Sequence, residues 1–340
     1  MKKLFISALV YFVMLVSAEA QQRPQYTQYV LNNYLTNPAV GGIESYADLR
    51  LGYRTQWAGL EGAPKSFYAT MHGSIGNSNN SVGSGSNRPK ETKSRYGFSK
   101  KSSYKKSRPH HGIGAIAQVD EAGLLKTSTL NASYSYHQPL NRYMTLASGI
   151  SSGITQFKVN TQEAVIFDPS DPYLNSSFEN ATKIDLTVGF WLYSSDFYLG
   201  VSGAQLLRNG NDFESAGTDR NPHMRQQAHF YATAGLRLQP SNYIALVPSV
   251  MVKATESAKP AIDFNARLMY AQRIWAGASY RHQDAMAVMA GVNINHIFDV
   301  GYSYDKSTSA ISKVSAGSHE VVLGIKLNNH RKIICPTWMW

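Results

Sequence analysis

A single cysteine, Cys335, in 340 residues leaves no material for a disulfide framework or a Cys-rich zinc module. Charge is scarce as well. Asp, Glu, Lys and Arg make up 16% of the chain, against roughly 25% in an ordinary soluble domain. That scarcity excludes a coiled coil or a disordered chain. No long apolar run follows the N-terminal stretch, and mean hydropathy is −0.29, which excludes a bundle of membrane helices. No helical pattern of three turns separates the strand-like segments, so βαβ architectures are disfavoured. What the chain has instead is 21 tyrosines and 26 glycines scattered along its length.

The first twenty residues read as an export signal rather than as fold. Lys2 and Lys3 form a basic start, Leu4–Val16 is a short apolar core, and Ala18-Glu19-Ala20 offers the small-x-small pattern of a cleavage site. The expected mature start is Gln21, and no Cys follows to carry a lipid. Residues 1–20 are therefore expected to be a signal peptide, and residues 21–44 a polar, Tyr-rich segment ahead of the strands. That segment either tucks into a lumen or lies along a periplasmic rim; the residues leave both open.

The net charge of +11 is concentrated in one place. Residues 77–109 hold Arg88, Lys90, Lys93, Arg95, Lys100, Lys101, Lys105, Lys106 and Arg108 against one acid, Glu91, which is +8 of the total. The run opens with Asn, Ser and Gly, a linker composition. On an exported chain nucleic acid is not the expected partner. An acidic protein face, anionic headgroups or a polysaccharide are, with a solvated loop as the bland alternative.

Elsewhere hydrophobicity alternates with period two. Ala47, Leu49, Leu51, Tyr53 and Thr55 share one face and Asp48, Arg50, Gly52 and Arg54 the other; Ile184, Leu186, Val188, Phe190 and Leu192 alternate with Lys183, Asp185, Thr187, Gly189 and Trp191. Fourteen such segments are predicted, near 46–57, 66–76, 112–121, 126–138, 143–157, 183–194, 197–206, 227–239, 242–254, 261–271, 274–282, 285–295, 297–305 and 319–329. Most exceed the roughly 5–6 residues of soluble strands and suit a tilted bilayer crossing.

A soluble sandwich would bury the apolar face between sheets, whereas an outer-membrane barrel turns it to lipid and the polar face to the lumen. The barrel is favoured. The polar faces carry Gly, Ser, Thr, Tyr and Arg rather than Lys and Glu, and Trp57, Tyr143, Tyr243 and Trp275 near strand ends are expected in interfacial girdles. Connections alternate between tight turns (Gln138–Asn141, Ser194–Asp196, Gln239–Asn242, Gln272–Arg273, Asn295–His296) and mostly longer loops. The expectation is an all-β outer-membrane barrel over residues 45–329 with about 14 antiparallel strands and both termini periplasmic. A tail over 330–340 follows, and parity puts the basic insertion 77–109 on the periplasmic side.

The opening Pro24-Gln25-Tyr26-Thr27-Gln28-Tyr29, then Asn37-Pro38-Ala39-Val40-Gly41-Gly42, resembles the start of PorP/SprF-family proteins of the type IX secretion system. Tyr53-Arg54-Thr55-Gln56-Trp57 through Gly62-Ala63-Pro64-Lys65 is similar to that family's most specific stretch. Members usually have a short turn where this chain carries 77–109. The resemblance implies a non-catalytic component located in the cell outer membrane, with outer-membrane lipid around it and no cofactor. Its implied partners are type IX secretion proteins (periplasmic ring or translocon components) and a large secreted adhesin that it binds, helps export or retains. A diffusion porin with an open lumen is the alternative.

Arg50 and Arg54 face the lumen two steps apart, so they are candidates either to pair with lumenal acids such as Asp185 or Asp263 or to hold an incoming chain. The nine basic residues of 77–109 are candidates for docking a periplasmic partner. No catalytic or metal residue is assigned. His72, His110, His111, His137, His229 and His282 show no H-x-x-x-H pair with an acid, no G-x-S-x-G occurs, and Asp168–Pro172 lacks calcium-loop spacing.

Overall fold

The computed structural model describes residues 25–75, 108–159, 180–207, 227–255, 259–330 and 332–335. Residues 1–20, expected to be a signal peptide, most of the basic run and Asp168–Pro172 lie outside them. Fourteen strands follow in chain order: β1 Ala47–Thr55, β2 Lys65–Ile75, β3 His110–Ala122, β4 Leu125–Pro139, β5 Thr145–Val159, β6 Asn180–Tyr193 and β7 Phe197–Ala204. The second half continues with β8 His229–Leu236, β9 Ile244–Thr255, β10 Ala261–Tyr270, β11 Ile274–Arg281, β12 Ala285–Asn293, β13 Phe298–Ser307 and β14 Ser318–Leu327. Each predicted segment coincides with one strand.

Every strand pairs antiparallel with its sequence neighbour, and β1 closes on β14 from Ala47↔Leu327 to Thr55↔His319. Closure leaves no sheet edge, which is the condition for placing strands in hydrocarbon, where an unpaired peptide group finds no partner. Ala47 and Leu327 lie at one rim, called here the near rim; β1 ends and β14 begins at the far rim.

Alternation decides which side chain goes where. Tyr53, Phe67, Ile113, Leu130, Ile150, Ile184, Phe190, Phe264, Leu268, Val288 and Val321 are exposed on the outside. Their neighbours Asp48, Arg50, Arg54, Asp185, Asp263, Arg267 and Glu320 are buried within. A soluble protein has the reverse arrangement, so the outside is solvated by lipid tails.

Near-rim turns are tight for local chemical reasons. The Asn141 side-chain oxygen accepts the backbone N–H groups of Tyr143 (2.7 Å) and Met144 (2.8 Å), and Asn295 does the same for Ile297 and Phe298. Between β10 and β11, Ala271 and Gln272 both take positive φ (49° and 57°), the backbone of a twisted two-residue hairpin. Two far-rim connections are also short, at Gly123–Leu124 and His282–Asp284.

Tyr143 and Tyr243 are exposed beside strand ends as interfacial side chains should be. Trp275 is not among them. It is only 5% exposed, because its position on β11 has lumenal parity, and its ring lies 6.0 Å from the Arg267 guanidinium.

Candidate functional site

The lumen is occupied by the chain's own N-terminal segment. Residues 25–46 run through it as three short 3-10 turns, Thr27–Leu31, Asn33–Leu35 and Pro38–Val40. Tyr29, Tyr34, Val40, Ile43 and Tyr46 are buried against the wall. Of the two positions open from the residues, rim or lumen, the structure has the second. Asn37 starts the third turn by accepting the Ala39 N–H at 3.0 Å, with Pro38 at the first helical position where its missing donor costs nothing.

The segment's first residues sit in the far half of the lumen. Glu320, on β14 directly opposite Arg54 of β1, accepts the backbone N–H of Thr27 at 2.7 Å. The Gln28 amide donates to the Glu320 carbonyl at 2.9 Å. Arg54 joins the group: one terminal nitrogen reaches Glu320 (3.2 Å) and the Thr27 hydroxyl oxygen (2.9 Å), the other Asp305 on β13 (2.8 Å). The Thr27 hydroxyl in turn donates to Asp305. A buried guanidinium between two carboxylates is the compensated arrangement that an intramembrane charge requires.

Midway, Asn32 donates to the Thr70 hydroxyl at 2.9 Å and Asn265 to the Tyr29 hydroxyl at 2.5 Å. The Lys253 ammonium lies 5.3 Å from the centre of the Tyr29 ring and 2.6 Å from Asp263, which Arg281 also approaches. The Asn37 side chain donates to the backbone carbonyls of Phe190 (3.0 Å) and Val201 (3.1 Å), and Ser202 donates to the Thr36 carbonyl at 2.6 Å.

Neutral groups grip the near end. The Gly41 carbonyl accepts from the Ser135 hydroxyl (2.5 Å) and from His137 Nε2 (2.7 Å), and the Gly42 N–H donates to His72 Nδ1 at 3.3 Å. His110 Nε2 lies 3.2 Å from the Gly42 carbonyl, and its ring stacks on His137 at 4.4 Å. Backbones nearly touch: a Cβ on Gly149 would strike Pro38 and Ala39, and one on Gly189 would strike the Asn37 side chain. Two of the spaces between plug and wall hold about 10 Å³ each, room for one water.

Arg50 and Arg54 point into the lumen, but their carboxylate partners are not Asp185 or Asp263. Arg50 contacts Asp48 (3.1 Å) and Asp299 (3.5 Å), Arg54 contacts Asp305 and Glu320, and Asp263 is taken by Lys253 and Arg281. The reason is barrel closure, which sets β14 and then β13 beside β1, whereas β6 and β10 are far around the wall.

Of the basic insertion, Arg88, Lys90, Lys93, Arg95, Lys100, Lys101, Lys105 and Lys106 lie outside the described residues. Arg108 is exposed just ahead of β3, and the segment joins Ile75 to His110 at the near rim. Beyond β14 the tail returns to that rim, where the Lys326 ammonium donates to the Ile334 carbonyl at 2.5 Å and Cys335 is buried against Met269. Burial pushes the Cys335 thiol pKa up, with Arg237 and Arg267 nearby opposing the shift. Among the described residues no group of three or more His, Cys, Asp or Glu side chains is placed to hold a metal ion.

The barrel superposes on the toluene transporter TbuX of Ralstonia pickettii at 8% identity with a TM-score of 0.50, covering 86% of this chain and 92% of that one. The P. putida toluene transporter TodX (6% identity, TM-score 0.45) matches over 87% and 94% of the two chains. Omp33 of Acinetobacter baumannii (8% identity, TM-score 0.45) matches over 84% and 100%. At such identities the likeness bears on the fold alone. No curated protein matches the sequence. The sequence pattern of the type IX secretion system membrane protein PorP/SprF matches residues 18–325. With that match over a closed 14-stranded barrel, the chain belongs to the PorP/SprF family of type IX secretion proteins and resides in the outer membrane.

Proposed function

We propose that this barrel is a closed scaffold of the type IX secretion system rather than a diffusion channel. It binds, helps export or retains at the cell surface a large secreted adhesin, and its near rim meets the periplasmic secretion or gliding machinery. The observation that carries this reading is the lumen occupied by residues 25–46, which are hydrogen-bonded to the wall at both ends. An open porin leaves that space to water. Arg50 and Arg54 then serve the wall and its plug, not a passing chain.

In this reading the near rim faces the periplasm and presents Arg88, Lys90, Lys93, Arg95, Lys100, Lys101, Lys105, Lys106 and Arg108 to an acidic partner. Attraction of this kind speeds docking and weakens with salt. Three measurements test it. Purified protein in planar bilayers should stay silent, and a steady open conductance would return the porin reading. Pulldown from detergent should recover ring components or a large adhesin, with recovery of the periplasmic partner reduced when the lysines of 77–109 become Gln. Recovery of neither would end the scaffold reading, and cleavage within 77–109 by protease added to intact cells would end the orientation.

A further inference from the structure

We infer that the lumenal wall is a polypeptide-binding site and that residues 25–46 are its resident, exchangeable occupant. The inference deepens the closed-scaffold reading and rests on it.

The contacts between plug and wall are those of a bound peptide. Glu320 reads a backbone N–H, Ser135 and His137 read a backbone carbonyl, and Asn37 reaches the wall's own carbonyls. Main-chain recognition of this sort gives affinity, while Tyr29 and Tyr34 seated in the wall add apolar anchors and side-chain selectivity. Gly149 leaves room for the peptide backbone and Gly189 for the Asn37 side chain, a shape with no purpose in an empty lumen.

The wall does not depend on its occupant. The β1–β14 seam is continuous over Ala47–Thr55, with no residue of 25–46 in the ladder. Asp48, Arg50, Asp299 and Lys326 balance one another, and Lys253 and Arg281 are set against Asp263 and Asp284. An emptied lumen would keep these ion pairs and stay polar, and water would replace most of the hydrogen bonds the plug surrenders, those to the Arg54–Asp305–Glu320 group included. Only the peptide link from Tyr46 to Ala47 ties plug to wall covalently, and such a tether holds the segment at high effective concentration without making it permanent.

The experiment deletes residues 25–44 behind the signal segment, purifies the barrel, and verifies folding by its heat-dependent gel mobility. In planar bilayers this variant should conduct where the full chain is silent. A synthetic peptide of residues 25–46 should close it saturably, and a scrambled peptide should not. Glu320→Gln in the deleted barrel should raise the half-closing peptide concentration about fivefold, since the carboxamide oxygen still accepts the Thr27 N–H but without the charge that strengthens the bond. A folded deletion barrel that is silent, or that conducts and ignores the peptide, overturns the inference. Should the deletion not fold, the full-length Arg54→Gln/Asp305→Asn/Glu320→Gln triple variant loosens the far end and leaves none of the three charges behind. Flickering openings then support exchange, and a folded, silent triple variant overturns it. Conductance of the full chain would instead strike the closed-scaffold reading, so the two failures are distinguishable.

Discussion

The two halves of the plug are held by opposite kinds of chemistry. At the far half, Thr27 and Gln28 meet full charges: Arg54, Asp305 and Glu320, all buried. At the near half, Gly41 and Gly42 meet neutral groups, the Ser135 hydroxyl and three imidazoles, with glycines of the wall letting backbones touch. The difference follows from chain connectivity. The near end runs directly into β1 through Tyr46, so only position has to be specified there, and short-range shape suffices. Among the described residues no strand precedes the far end, and holding it against water takes stronger partners that the wall has already fixed in place. A segment tethered at one end is thus clamped most firmly at the other.

From that contrast, the largest penalty comes from breaking the charged clamp. Arg54→Ala leaves Asp305 and Glu320 buried without their cation and should destabilise the barrel by about 3–5 kcal/mol. The urea midpoint of the gel-mobility transition reads it, and a loss below about 1 kcal/mol would mean that the clamp contributes no more than an ordinary hydrogen bond. Next comes overpacking at the near half. Gly149→Val drives a side chain into Pro38 and Ala39 and should cost about 1–3 kcal/mol. Removing residues 25–44 should largely abolish that cost, since the clash is with the plug; an undiminished cost would place the strain in the wall. Smaller still, His137→Ala takes one of two donors from the Gly41 carbonyl and should cost about 0.5–1.5 kcal/mol, because Ser135 remains. A His137→Ala penalty equal to that of Arg54→Ala would erase the contrast between the halves.

How much of this was legible in the sequence depends on the range of the interaction. The strands were, because a residue's face is set by its immediate neighbours: Asp48, Arg50 and Arg54 turn inward since Leu49, Leu51 and Tyr53 turn outward. The tight turns were too, since Asn141 and Asn295 bond to peptides two and three residues away. The plug was legible only as one of two placements, because its 3-10 turns carry no period and Thr27 finds Glu320 across 293 residues. The partners of Arg50 and Arg54 sat between these cases. A closed barrel puts its last strands beside its first, so Asp299, Asp305 and Glu320 were the lumenal acids to choose. Alternation alone favoured Asp185 and Asp263 no less. Trp275 was misplaced because an aromatic near a strand end reads as interfacial until its parity is fixed.

The smallest expected effect is the absence of one. Cys335 is buried where the tail folds over the near rim, and burial holds its pKa above the ordinary thiol value, so at neutral pH little reactive thiolate is present and access is blocked. A maleimide should label the folded barrel far more slowly than the urea-unfolded chain, and the folded rate should climb as pH rises toward the elevated pKa. Arg54→Ala sharpens the comparison of the two halves here. Its lesion lies in the far half, whereas the tail is fixed by Lys326 and Asn329, with Asn329 donating to the Ile333 carbonyl at 2.8 Å. Cys335 should therefore stay as protected in folded Arg54→Ala as in the parent. Faster labelling would show that the far clamp and the near rim open together, and the plug would then be one cooperative unit rather than two separately held ends.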